Sequence, residues 1–420
     1  MKIKEGKAYE VLDSRGNPTI EIKLTLEDGQ VVSDSIPSGA STGSKEALEL
    51  RDGDLERFSG KGVLKACENI DKILDEIEDI DVTQQKEIDN LMIELDGTES
   101  KSKLGANAIL AVSLAVCRAG SCVEKKPLWR YIQEKFNFKK DPDWKFPVPM
   151  INVINGGEHA DSGLDVQEYM LIPVGLDSFF LRMRAGSEIY HALKKILVEK
   201  EYRMAVGDEG GFAPRLKSNE EALELLSRAV EKAGYELGHD VKTGLDVAAS
   251  EFYDKDSGKY NLKLDEEIVK ADELFRVYKN WIDKYSLALI EDPLSEFDWS
   301  NWIKFNEEFG DKIDIVGDDL LVTNKKLVEK AIKEKACNAV LIKVNQIGTV
   351  SETIDAIKIA KKSGMKIAVS HRSGETKDDF IADLAVAVEA DYVKFGAPAR
   401  GERVAKYNRI IAIEKEIKGN

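Results

Sequence analysis

Residues 339–344 read AVLIKV, four apolar residues closed by Lys343 and one further valine. A short apolar run of this kind reads as a strand buried on both faces, and the charged residue that ends it sits at the strand's C-terminal tip. The same phrase recurs on either side. Upstream, Leu245 is followed by Asp246, Ile290 by Glu291, and Val316 and Gly317 by Asp318; downstream, Val369 and Ser370 are followed by His371, and Val393 by Lys394. Successive closing residues lie 45, 27, 25, 28 and 23 positions apart, and each of the last four intervals has room for one strand and one helix. Strands alternating with helices predict a parallel sheet covered on both faces. With earlier strand candidates at 148–153 and 166–172 the set reaches eight, enough to close an α/β barrel.

The first third reads differently. Residues 19–26 alternate apolar and polar side chains, Asp28 and Gly29 supply a turn, and 31–36 return as a partner strand. Helical spacing follows at 45–58, 63–77, 83–95 and 107–123. Pro142, Pro147 and Pro149 then mark a junction. The division expected is a smaller α+β domain over 1–138 and a barrel domain over 139–420.

Of the 420 residues, 43% are hydrophobic and 33% charged, a globular composition, and the net charge of −16 repels nucleic acid and acidic membrane surfaces. The longest apolar stretch, 106–117, falls short of the ~20 residues a membrane span needs. Cys67, Cys117, Cys122 and Cys337 form no CxxC pair, so reduced thiols and a cytoplasmic setting are expected.

Barrel strands carry their chemistry at their C-terminal ends, so the closing residues converge on one mouth. One acid there reads as a helix cap or a surface ion pair. Three in register, Asp246, Glu291 and Asp318, repel one another unless a cation neutralises them, and an all-oxygen donor set favours Mg²⁺ over zinc. Lys343 lies within apolar residues, where desolvation and a neighbouring metal depress an amine toward the neutral form of a general base. The stretch SHRSGET, 370–376, offers Arg372, Ser373 and a glycine to an anion, and Lys394 adds a second fixed cation. Two glycine-rich loops complete the mouth. GDEGGF, 207–212, places Glu209 on a flexible turn; NGGEHAD, 155–161, carries His159, with Glu168 just beyond. Glu168 and Glu209 together make a pair able to share a proton and act as a general acid. The five acids and three cations leave a net −2, which would repel a phosphorylated carboxylate of about −3. Two Mg²⁺ reverse that sign.

These segments resemble the enolase family. The likeness runs through VLDSRGNPT from Val11, PSGASTG from Pro37, KSKLGANAILAVSLA from Lys101, GDEGGFAP from Gly207, LDVAASEF from Leu245, IEDP from Ile290, VGDD from Val316, LIKVNQIGT from Leu341, SHRSGET from Ser370 and AKYN from Ala405. The resemblance implies dehydration of 2-phosphoglycerate to phosphoenolpyruvate, in glycolysis and gluconeogenesis, on a barrel of the enolase type whose first strands deviate from strict alternation. By matching motif, Lys343 would take the C2 proton and Glu209, assisted by Glu168, would protonate the leaving hydroxyl. Asp246, Glu291 and Asp318 would hold one Mg²⁺, and Ser41, with the substrate's phosphate, a second. Arg372 and Ser373 would bind phosphate, Lys394 the carboxylate side, and His159 and His371 would line the pocket, with Ala40 and Ser41 on a lid loop. A homodimer or octamer is implied, although Ala412 replaces the arginine that commonly pairs across a dimer with the acid matching Glu21. Ser33, Asp34 and Ser35 depart from the family's usual residues, so that strand is expected to pack differently, and Phe395 is expected to crowd the pocket floor. The competing readings are another acid dehydratase of the superfamily, disfavoured by Gln167 and Glu168 on the second strand, and a non-catalytic binding protein on the same fold.

Overall fold

In a computed structural model that describes residues 1–39, 43–139 and 144–419, the alternation at the N-terminus becomes an antiparallel sheet. Its strands β1 (Ile3–Leu12), β2 (Pro18–Leu26) and β3 (Val31–Ser35) pair in sequence order. Period-two alternation sends Ile20, Ile22, Leu24 and Leu26 to one face, where all are fully buried. That face is covered by α1 (Leu64–Ile77), on β1, and by α3 (Ala106–Val123), on β2 and β3; α2 (Gln85–Asp96) and α4 (Leu128–Lys135) pack around α3. The reading of 106–117 as too short for a membrane span is corrected here. The helix runs 18 residues and meets the length and composition of a spanning helix, yet 83% of it is buried inside the protein. Its apolarity is that of a helix enclosed on nearly every side.

Residues 45–58 are not helical, contrary to the spacing. Apart from a 3₁₀ turn that begins at Phe58, they run as an irregular strap whose backbone bonds go outward: Ala47 N to Gln346 O at 2.8 Å, Leu48 N to Ser100 O at 2.7 Å, Leu50 N to Asn107 Oδ1 at 3.0 Å and Asp52 N to Gly62 O at 2.8 Å. A helix would have to give up these partners, and the apolar residues that suggested one, Leu48, Leu55 and Phe58, are exposed.

The barrel begins with β4 (Val148–Asn155) and β5 (Glu168–Ile172), continues through α5 (Phe179–Glu199) and α6 (Asn219–Lys232), and reaches β6 (Lys242–Asp246). A small antiparallel sheet, β7 (Tyr253–Asp254), β8 (Lys259–Leu262) and β9 (Glu267–Val269), precedes α7 (Ala271–Tyr285) and explains the long first interval. Strand and helix then alternate through β10 (Leu287–Glu291), α8 (Trp299–Phe309), β11 (Asp314–Gly317), α9 (Lys325–Glu334) and β12 (Ala339–Ile342). A short α10 (Val344–Ile347) leads into α11 (Val350–Ser363), β13 (Lys366–Ser370), α12 (Phe380–Ala387), β14 (Tyr392–Gly396) and α13 (Gly401–Lys418). The eight strands β4–β6 and β10–β14 close into a barrel.

The sheet is not parallel throughout. β5 runs antiparallel to both β4 and β6, because the loop joining β4 to β5 carries only a 3₁₀ turn, Gly157–His159, and no crossover helix. Reversal carries the start of β5 to the mouth where its neighbours end, so Glu168 lies in register with both Asn155 and Asp246. The barrel interior below is apolar, filled by side chains such as Met150, Met170, Leu289, Val316, Leu341 and Tyr392.

Candidate active site

Each strand delivers its last residues to the mouth. Asp246 and Glu291 end β6 and β10, Asp318 and Lys343 follow β11 and β12, His371 follows β13, and Lys394 lies within β14. Glu168 at the start of β5, His159 on the 3₁₀ turn and Glu209 on its loop join Asp246, Lys343, His371 and Lys394 around one small buried cavity, whose lining also includes Gln167, Ser370, Arg372 and Ser373; Glu291 and Asp318 are tied to it through their ion pairs with Lys394 and Lys343. Ala40 and Ser41 lie outside the described residues.

Around Lys394 the acids close in. Its Nζ lies 2.8 Å from Asp246 Oδ2, 2.9 Å from both Glu291 oxygens and 3.1 Å from Glu168 Oε1. Burial lowers this ammonium's pKa, but Asp246 and Glu168 lift it well above the ordinary value. Glu291 is in turn pushed well above the carboxylate range by burial and by Asp246. Lys343 pairs with Asp318, whose other oxygen accepts from Gln346 Nε2 at 2.8 Å. Desolvation alone does not give Lys343 the expected depression: burial pulls its pKa down, but Asp318 outweighs burial and raises it.

The two glutamates part company. Burial and the neighbouring Glu209 push Glu168 up to about 7. Glu209 is buried too, yet His371 and His159 hold it well below the usual range. Of the two, Glu168 therefore holds a proton more readily than Glu209. Nor is the Glu209 turn flexible in its setting: the residue is 2% exposed, its Oε2 accepts from Asn152 Nδ2 at 3.0 Å and its carbonyl from Ala397 N at 3.0 Å.

Arg372 donates to Glu46, at 2.9 Å to Oε2 and 3.3 Å to Oε1, and to Asn345 Oδ1 at 3.1 Å. Glu46 escaped the sequence reading because it falls in the segment misread as helix. Arg403, fully buried on α13, was missed as well; it stands two residues before the AKYN segment and contacts the loops on both sides of the mouth. Phe395 does not crowd the pocket. Alternation along β14 turns it outward onto Tyr407, ring centroids 5.6 Å apart.

Buried polar atoms without a hydrogen-bond partner concentrate at this mouth: both amide atoms of Asn155, Asn152 Oδ1, Gln167 Oε1, Glu168 Oε2, His159 Nδ1 and His371 Nε2. Buried polar groups are ordinarily satisfied, so such a cluster marks a place built for a ligand. Two groups, His159 with Glu168 and Glu209, and Asp292 with Asp318 and Asp319, bring one oxygen or nitrogen each within 4.8 Å of one another. Asp246 and Glu291 are instead bridged by Lys394. The donor set, rich in buried carboxylate oxygen and short of positive charge, fits a hard divalent cation.

Comparison with known proteins yields two family matches, "Enolase, N-terminal domain" over residues 3–132 and "Enolase, C-terminal TIM barrel domain" over residues 143–420. A curated protein named "Enolase", from a Nitratiruptor species, is 52% identical over 411 residues, spanning 98% of this chain and 96% of that protein.

Proposed function

The chain belongs to the enolase family and is a hydro-lyase, a phosphopyruvate hydratase of glycolysis that uses a metal cofactor and a small phosphorylated carboxylate substrate; from that premise we propose which of its residues carry the reaction. Lys343 removes the C2 proton of 2-phosphoglycerate. Glu209, assisted by Glu168, whose pKa burial and Glu209 raise, delivers a proton to the departing C3 hydroxyl. Arg372 and Ser373 take the phosphate, Lys394 the carboxylate side, and His159 and His371 line the pocket. Asp246, Glu291 and Asp318 would hold one Mg²⁺ and Ser41, together with the phosphate, a second. Bound there, they would supply the positive charge that the site's own cations lack for a substrate carrying phosphate and carboxylate.

The observation that carries this reading is the gathering of buried, mutually perturbing acids and lysines with unpartnered polar atoms at one barrel mouth. Residues 1–138 would supply the lid with Ala40 and Ser41, and 139–420 the chemistry. Four free thiols accord with a cytoplasmic enzyme, and the family with a homodimer or octamer.

The test separates the two proton transfers. Lys343→Ala should abolish exchange of the substrate's C2 proton with solvent, whereas Glu209→Gln should keep exchange and lose phosphoenolpyruvate formation, each by on the order of 10²- to 10⁴-fold. Equal loss of exchange in both would refute the division of roles.

A further inference from the structure

Arg403 reaches the mouth from α13 with its side chain 0% exposed. Its Nη1 lies 2.7 Å from His371 Nδ1 and donates to Arg372 O at 2.6 Å; its Nη2 donates to Ser373 O at 2.6 Å and approaches Asp208 O at 3.3 Å and Ser14 Oγ at 3.4 Å. A guanidinium has five N–H donors, no acceptor, and does not deprotonate in proteins. At 2.7 Å, then, His371 Nδ1 can only be the acceptor, and the ring's single proton is obliged to sit on Nε2. That nitrogen is buried, points into the cavity 3.2 Å from Glu209 Oε1, and has no aligned hydrogen-bond partner of its own. The ring has little freedom to turn, because Gly396 lies against it: a Cβ there would stand 3.0 Å from His371 Cε1 and 3.1 Å from Arg403 Cδ.

We propose that Arg403 is a positioning residue that locks His371 as a neutral Nε2–H donor aimed at the reacting end of the pocket, beside Glu209. The side chain that sets the tautomer also clamps the backbones of both active-site loops, those of residues 372–373 and of Asp208, so the donor and the neighbouring acid are held by one rigid group. A hydroxyl leaving toward Glu209 would meet a proton donor fixed in advance, with no energy spent on choosing a tautomer. The proposal rests on the reading of His371 as a pocket residue.

The chain has only four histidines, so ¹⁵N labelling of histidine in the full-length Mg²⁺-loaded enzyme resolves each ring. The His371 signals, identified by their loss in His371→Gln, should show Nε2 protonated and Nδ1 bare at neutral pH; a proton on Nδ1 overturns the proposal with no variant of Arg403 required. Arg403→Met should let the tautomers mix and lower kcat on the order of 10- to 100-fold with KM changed less than about threefold, and Arg403→Lys, which keeps a charged donor, should recover part of the loss. A folded Arg403→Met enzyme that retains the Nε2–H form also overturns it. If His371→Gln and His371→Asn both turn over like the parent enzyme, the pocket reading of His371 fails while the tautomer measurement still stands on its own.

Discussion

Glu46 occupies the guanidinium fork of Arg372, and both are nearly buried, so an anion that binds Arg372 competes with a resident carboxylate. Glu46→Gln keeps the shape and removes the charge. The inhibition constant of inorganic phosphate against 2-phosphoglycerate should fall roughly fivefold, the effect of about 1 kcal/mol, as measured by steady-state kinetics; an unchanged constant would mean that Glu46 yields without cost. Residue by residue, the charged strand tips were legible because each is defined by its immediate neighbours: a lone Lys or Asp closing an apolar run is read locally. Their pairings were not. That Lys343 is held by Asp318 and Lys394 by three acids depends on side chains that meet from strands far apart in the chain.

Among the elements, Arg118 of α3 fastens β3 to the barrel. Asp34 accepts from its Nε at 3.0 Å and its Nη2 at 2.9 Å, and Asp378, just before α12, accepts from Nη2 at 3.0 Å. This is the physical content of the unusual Ser33-Asp34-Ser35 strand: a buried acid matched by an arginine on the covering helix. Arg118→Ala would strand both acids, and unfolding in urea should show a loss of roughly 3–5 kcal/mol, whereas an exposed pair would cost under about 1 kcal/mol. Periodicity found β2, β3 and three of the four N-terminal helices within a residue or two, since each helix satisfies its own backbone and the two strands pair with each other across a short turn. It failed over 45–58, where the backbone partners are Gln346, Ser100 and Gly62 and no local pattern can announce them. It failed again at β5, whose direction follows from the connection and not from its composition.

Over the whole molecule the mouth holds more buried acid than its cations neutralise, which ties stability to pH and metal. Glu168 lies near 7 instead of the ordinary 4.5, raised by burial and Glu209, and Glu291 is likewise raised well above the usual value by burial and Asp246. A carboxyl whose folded pKa is raised binds its proton more tightly when folded, so its stabilisation is complete below the unfolded value and is lost as pH climbs through the folded one. Scanning calorimetry of the chelator-treated protein should find the unfolding temperature falling from about pH 4.5 through pH 7, and saturating Mg²⁺ should flatten the fall. A rise across that window, or identical curves with and without Mg²⁺, would contradict the account. The amino-acid sequence by itself determined the strand-and-helix rhythm, the acids and lysines at the strand tips, and the resemblance to the family, because all of these are properties of neighbours along the chain. Only the tertiary structure decided the reversed β5 that brings Glu168 to the mouth, the strap that lays Glu46 on Arg372, and the buried Arg403 behind His371. Each of these is a contact between distant segments, and its energy exists only once the barrel has closed.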